Sequence, residues 1–132
     1  MAEFIMKQLV TLAGRADEFE IASAAVSTEE IGNDVYPPAK RMLAAKNVPF
    51  SHHAARQMTR ADYAYYDYIV CMDQSNLRWL RYIIGDDFDH KVSLMMVWAG
   101  KSSDVSDPWY TGDFAKAYDD ILAGCQAMLK QI

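Results

Sequence analysis

The chain has 132 residues, of which 52% are hydrophobic and 23% charged. That is enough apolar material for one domain with a real core, and too much for a disordered tail. Thirteen Lys and Arg against eighteen Asp and Glu leave a net charge of −5, which argues against general nucleic-acid binding. No apolar run reaches the length of a membrane span, and the N-terminus lacks the basic-then-apolar layout of a signal peptide.

Ala2, Ile5, Met6, Leu9, Leu12 and Ala13 fall on one face, so residues 1–13 read as a helix stopped by Gly14. No capping residue precedes it. The sequence opens inside an element, on a helix N-terminus whose N–H groups and dipole favour an anion. In Glu18 to Val26, Phe19 and Ile21 alternate with polar residues and predict a strand. Ser27-Thr28-Glu29-Glu30 has the form of a capping box before a short turn or helix. Pro37-Pro38 opens a helix running to about Lys46. Val48 to Arg56 is a connection carrying His52, expected in solvent, and His53, expected in a structural hydrogen bond. Thr59 with Asp62 marks another short helix.

Tyr68-Ile69-Val70-Cys71-Met72 is the strongest candidate for a buried strand. Asp73 follows it, Ser75 is expected to cap a helix over Asn76–Ile84, and Gly85 stops that helix. Asp86-Asp87-Phe88-Asp89 lacks the spacing of a calcium loop and reads as solvated. Val92 to Val97 predicts a third strand. Proline in Asp107-Pro108-Trp109-Tyr110 fixes its own φ and biases its predecessor toward extended geometry, so Asp107 is held on a turn beside two aromatics. Asp113 caps a long last helix with the apolar stripe Phe114, Tyr118, Ile121, Leu122, Cys125, Met128, Leu129 and Ile132. Strands alternating with helices predict one α/β domain over residues 1–132, with a small parallel sheet flanked by helices in three α/β/α layers. Three strands are few for such a sheet. Cys71 and Cys125 fit no CxxC or zinc spacing and read as free thiols of a reducing cytosol.

Read together and in this order, Met1-Ala2-Glu3-Phe4, Ser23-Ala24-Ala25, His53-Ala54-Ala55-Arg56-Gln57, Cys71-Met72-Asp73-Gln74-Ser75-Asn76-Leu77 and Asp107-Pro108-Trp109-Tyr110 resemble the low-molecular-weight protein tyrosine phosphatases over essentially the whole chain. In that family the chain begins earlier, with a central strand and a phosphate loop of the form Cys, five residues, Arg, Ser. By resemblance this chain looks like a member starting after its own catalytic loop. It would lack a strand and a loop of roughly fifteen residues. The missing strand would lie between those expected at Glu18–Val26 and Tyr68–Met72, leaving open edges that favour a homodimer or a swapped assembly.

The resemblance implies hydrolysis of a phosphotyrosine protein or small aryl phosphate through a cysteinyl-phosphate, with no metal and no cofactor, in the cytoplasm. It gives Asp107 the general acid–base role and makes Trp109 and Tyr110 the mouth of the pocket. Glu29 and Glu30 match the opposite wall, and Ser23 and His53 the residues that buttress the phosphate loop. No nucleophile is offered. From Cys71 the next Arg is Arg78, with six residues between, and Cys125 has no Arg after it. The chain by itself is therefore expected to be inactive. The alternative is a non-catalytic interaction module. A flavodoxin-like binder of a small anion is weaker, since no phosphate loop is present.

Overall fold

The computed structural model describes residues 1–27 and 32–132, and leaves the side chains of Trp109 and Tyr110 undescribed. Its elements, in chain order, are α1 (Ala2–Leu12), a 3₁₀ turn (Ala16–Glu18), α2 (Pro37–Ala45), α3 (Arg60–Tyr65), β1 (Ile69–Cys71), α4 (Gln74–Ile84), β2 (Val92–Leu94), α5 (Met95–Trp98), α6 (Pro108–Thr111) and α7 (Phe114–Gln131).

β1 and β2 run parallel, with Ile69 opposite Val92 and Cys71 opposite Leu94. Alternation of side chains across the strands divides the interior in two. Val70 and Met72 face a large core formed by α1, α2, α5 and α7, in which Ile5, Leu43, Met96 and Cys125 are fully covered. Ile69, Cys71, Val92 and Leu94 face a smaller core with Tyr63 of α3 and Leu77, Leu80, Ile83 and Ile84 of α4. Helices thus cover both faces of the sheet, as expected. Each aliphatic side chain fully removed from water contributes about 1.5–3 kcal/mol.

Local chemistry explains most boundaries. Gly14 at φ +70 ends α1, and the Arg15 N–H reaches back to the Val10 carbonyl at 2.8 Å. Thr59 and Asp62 form the expected reciprocal capping box of α3.

Three expectations need correction. Residues 18–26 do not form a strand. They begin in the 3₁₀ turn, Phe19 after it is extended, and among the described residues they pair by backbone bridge with another segment only at Ala25–Gln57. Alternation dictates extended backbone, but a ladder also needs an edge alongside, and here it is met at one residue. The strand over Val92–Val97 is shorter than expected. It stops at Leu94, and Met95–Trp98 turns helical with Met95 and Met96 both buried. A short apolar run does not separate a strand from a buried helix. The cap of α4 is Asp73, whose carboxylate accepts from the Asn76 N–H at 2.7 Å, so the helix starts at Gln74. Ser75 lies inside it.

The solvated acidic loop is also only part of the picture. Asp86 and Asp89 are exposed. Asp87 is half-buried, takes the Tyr63 hydroxyl and accepts from the N–H groups of Lys91 and Val92 at 2.8 and 3.1 Å.

Candidate active site

Three segments meet at the N-terminal end of α1. Glu3 lies in the first helical turn, Ser23 on the extended stretch after the 3₁₀ turn, and His53 in the connection between α2 and α3. Backbone bonds interlace the segments that carry them. The Ala25 N–H donates to the Arg56 carbonyl at 2.7 Å, Met58 N–H to Ala25 at 2.8 Å and Ala55 N–H to Asn33 at 2.7 Å.

The Ser23 hydroxyl donates to Glu3 Oε1 at 2.7 Å and lies 3.0 Å from His53 Nε2. His53 Nδ1 stands 3.7 Å from the same Glu3 oxygen, and Lys7, one turn along α1, closes on the other at 2.6 Å. Burial opposes ionisation of Glu3. The hydrogen bonds from Lys7 and Ser23 and the charges of Lys7 and His53 together outweigh it, and hold the carboxyl below its ordinary range. Phe4 stands edge-on to the His53 ring at 6.3 Å.

A second carboxylate holds this cluster from behind. Asp34 Oδ1 accepts from the His53 N–H at 2.9 Å and the Val35 N–H at 2.7 Å, while Oδ2 takes the Lys40 ammonium and lies 3.3 Å from His52 Nδ1. The Lys40 hydrogen bond, followed by the two backbone donors, pulls the Asp34 carboxyl far below the usual carboxylate range. His52 is otherwise exposed, as expected.

Asp107 is exposed and starts a separate loop. Its carbonyl accepts from the Thr111 N–H at 3.3 Å and the Pro108 carbonyl from Gly112 at 2.8 Å, so Pro108 leads a single helical turn. Upstream, buried Val105 donates its N–H to the Met72 carbonyl at 2.9 Å, just past β1. The loop is thereby tied to the carboxyl end of a parallel strand, where open α/β sheets carry their sites. Downstream, Asp113 caps α7 through the Lys116 N–H at 2.9 Å. Tyr36, two residues beyond Asp34, packs on Phe114 at 5.9 Å between ring centroids, which links the two groups of residues.

Of the expected site residues, Ser23 and His53 are brought together and Asp107 is on its turn. Glu29 and Glu30 lie outside the described residues, as do the side chains of Trp109 and Tyr110, whose backbone forms part of α6. Glu3, Asp34 and Lys40 were not anticipated. An acid in a first helical turn was a readable signal for Glu3. Asp34 had none, because the His53 backbone that it holds is nineteen positions away.

Both thiols are buried, and the charge of the Met1 amino group offsets only part of the effect of burial at Cys125. Burial, with the Asp73 charge, pushes Cys71 up to about 11, and burial pushes Cys125 up to about 12. Among the described residues no group of three His, Cys, Asp or Glu is arranged to hold a metal.

Comparison with known proteins gives a consistent answer. The model of a family described as low molecular weight phosphotyrosine protein phosphatase matches residues 1–132. The Rattus norvegicus low molecular weight phosphotyrosine protein phosphatase is 36% identical, over 99% of this chain and 85% of the rat protein. The Bacillus subtilis low molecular weight protein-tyrosine-phosphatase YfkJ is 30% identical, over 100% and 86%. The YfkJ crystal structure superposes with a TM-score of 0.93, covering 99% of this chain and 84% of that one. Vibrio vulnificus Wzb in complex with benzylphosphonate, 25% identical, superposes with a TM-score of 0.85 over 99% and 88%.

Proposed function

Because the chain belongs to the low-molecular-weight phosphotyrosine protein phosphatase family, we propose that it carries the acid–base and loop-supporting parts of a site for aryl phosphate esters, phosphotyrosine first among them. The observation that carries this reading is the Glu3–Ser23–His53 cluster at the start of α1, linked through Asp34 and Tyr36 to the loop that follows Asp107.

In this reading Asp107 protonates the leaving phenolate and then takes a proton from the attacking water. Trp109 and Tyr110 stack on the substrate ring. Glu29 and Glu30 form the facing wall and favour basic groups beside the phosphotyrosine. Ser23 and His53 hold a phosphate loop by hydrogen bonds. The chemistry also needs a low-pKa thiolate and an Arg clamp on the phosphate. Within these 132 residues no Cys-x5-Arg occurs, and Cys71 and Cys125 are buried with raised pKa values. The polypeptide on its own is therefore inactive.

The same two thiols favour a second reading, a non-catalytic module that holds a partner through its pocket face. Among the described residues β1 is hydrogen-bonded to β2 alone, so its other edge is available for a strand from a second copy or a swapped segment. Unpaired cysteines are in keeping with a reducing, cytoplasmic setting.

A chimera tests the first reading. The N-terminal strand and Cys-x5-Arg-Ser loop of an intact relative, fused ahead of Met1, are expected to produce vanadate-sensitive turnover of p-nitrophenyl phosphate. Asp107→Asn in that chimera lowers kcat by roughly 10²- to 10⁴-fold, with the greater loss for poorer leaving phenols. A folded chimera without turnover counts against it.

A further inference from the structure

Helix α4 turns one face inward and a second, aromatic face outward. Leu80 is buried, and Leu77, Ile83 and Ile84 join it in the smaller core. On the outside Trp79 is 56% exposed and Tyr82 83%, their rings 5.6 Å apart, and Phe88 on the following loop is 80% exposed. Three large aromatics in water on one short segment are the usual mark of an interaction surface. One flank of this face opens into a groove of about 460 Å³, whose walls include Leu77, Arg78, Arg81, Ile84 and Asp86.

The order of charges on that flank selects the partner. Arg78 lies in the middle of α4, and Asp86 stands just past its end at Gly85. Tyr82 is the midpoint between them. Two copies of α4 laid antiparallel about a two-fold at Tyr82 bring Arg78 of each against Asp86 of the other, and each aromatic flank against its own copy. A parallel arrangement would set Arg78 against Arg78 and Asp86 against Asp86. The face is therefore self-complementary in one orientation, the condition for an isologous contact. The existing Arg81–Asp86 ion pair, 3.2 Å long with both side chains largely exposed, is weak enough to be shared.

We propose that the outward face of α4 is the surface through which two copies of this chain associate, antiparallel about a two-fold near Tyr82. The inference stands apart from the phosphatase reading and from the edge of β1. An eleven-residue helix is about 17 Å long, so the interface is small and its dissociation constant is on the order of micromolar or weaker.

Sedimentation over a concentration series tests it, with circular dichroism as a check on folding. The chain is expected to show a reversible monomer–dimer equilibrium. Trp79→Glu, Arg78→Glu and Asp86→Arg should each raise the dissociation constant by about tenfold or more. An equimolar mixture of Arg78→Glu with Asp86→Arg should recover association, because both cross-copy pairs then join opposite charges. Ala24→Lys, on the extended stretch, should leave the dimer unchanged. If Trp79→Glu does not fold, the two charge variants decide alone. A strict monomer at every concentration, a dimer indifferent to the charge reversals, or a mixture that fails to recover would overturn the proposal.

Discussion

Ser23 Oγ and His53 Nε2, thirty residues apart in sequence, stand 3.0 Å apart at the start of α1. The contact fixes a proton. An ionised carboxylate only accepts, so the single Ser23 hydrogen is committed to Glu3 at 2.7 Å. The bond between Ser23 and His53 then needs its hydrogen on Nε2. We expect ¹⁵N chemical shifts of the His53 ring to report a protonated Nε2, and Ser23→Ala to change that pattern without moving His52. A neutral ring protonated only on Nδ1 would contradict this geometry.

Acid should weaken the domain through its paired carboxylates. Asp34, Glu3, Asp62 and Asp87 all titrate below their ordinary values in the folded chain. A carboxylate depressed by folding contributes stability above its unfolded pKa, near 4, and loses it as pH falls through the folded value. The melting temperature should therefore drop as pH is lowered below about 4. Asp34→Asn removes the acceptor for Lys40 and should melt earlier than the parent at pH 7, with the gap narrowing in acid. A gap of constant size from pH 7 to pH 3 would show that Asp34 acts by shape and not by charge.

Neither cysteine should behave as a nucleophile. With thiols at about 11 and about 12 and little exposed surface, both should resist Ellman's reagent at pH 8 in the native chain. Both should react once the chain is unfolded in guanidinium. Rapid native labelling of one thiol would reopen the question of a catalytic cysteine within these residues.

Helices α5 and α7 touch through Gly124. A methyl group there would lie 2.6 Å from Met95 Cγ and Sδ and 2.9 Å from the Met95 carbonyl oxygen. The side chain can swing away but the carbonyl cannot. Gly124→Ala should cost about 1–3 kcal/mol in denaturant unfolding, despite the better helix propensity of Ala. A neutral or stabilising result would mean that the two helices slide apart freely.

The parts of this domain legible in the sequence were those with local causes. Caps and stops such as Thr59–Asp62, Gly14 and Gly85 are short-range devices. Asp113 and the stripe that follows it placed α7. The strand around Val70 was readable from its apolar β-branched run. What escaped depended on distant neighbours. Whether Phe19 to Val26 joins a ladder is decided by which backbone lies alongside, and among the described residues only Gln57 does, at Ala25. Met95–Trp98 is apolar in either conformation, and burial against α7 settles it as helix. In the site, Ser23 and His53 were identified by resemblance to a family pattern. The Asp34 support behind them has no sequence signature, since it joins Lys40 of α2 to the His53 backbone nineteen positions away.

We propose that these residues supply the acid and the supports of a phosphatase site without the nucleophile. Turnover of p-nitrophenyl phosphate by the purified 132-residue chain, with and without vanadate, tests it most directly. No vanadate-sensitive hydrolysis above the buffer rate is expected. Turnover comparable to an intact relative, abolished by Cys71→Ser or Cys125→Ser, would contradict it.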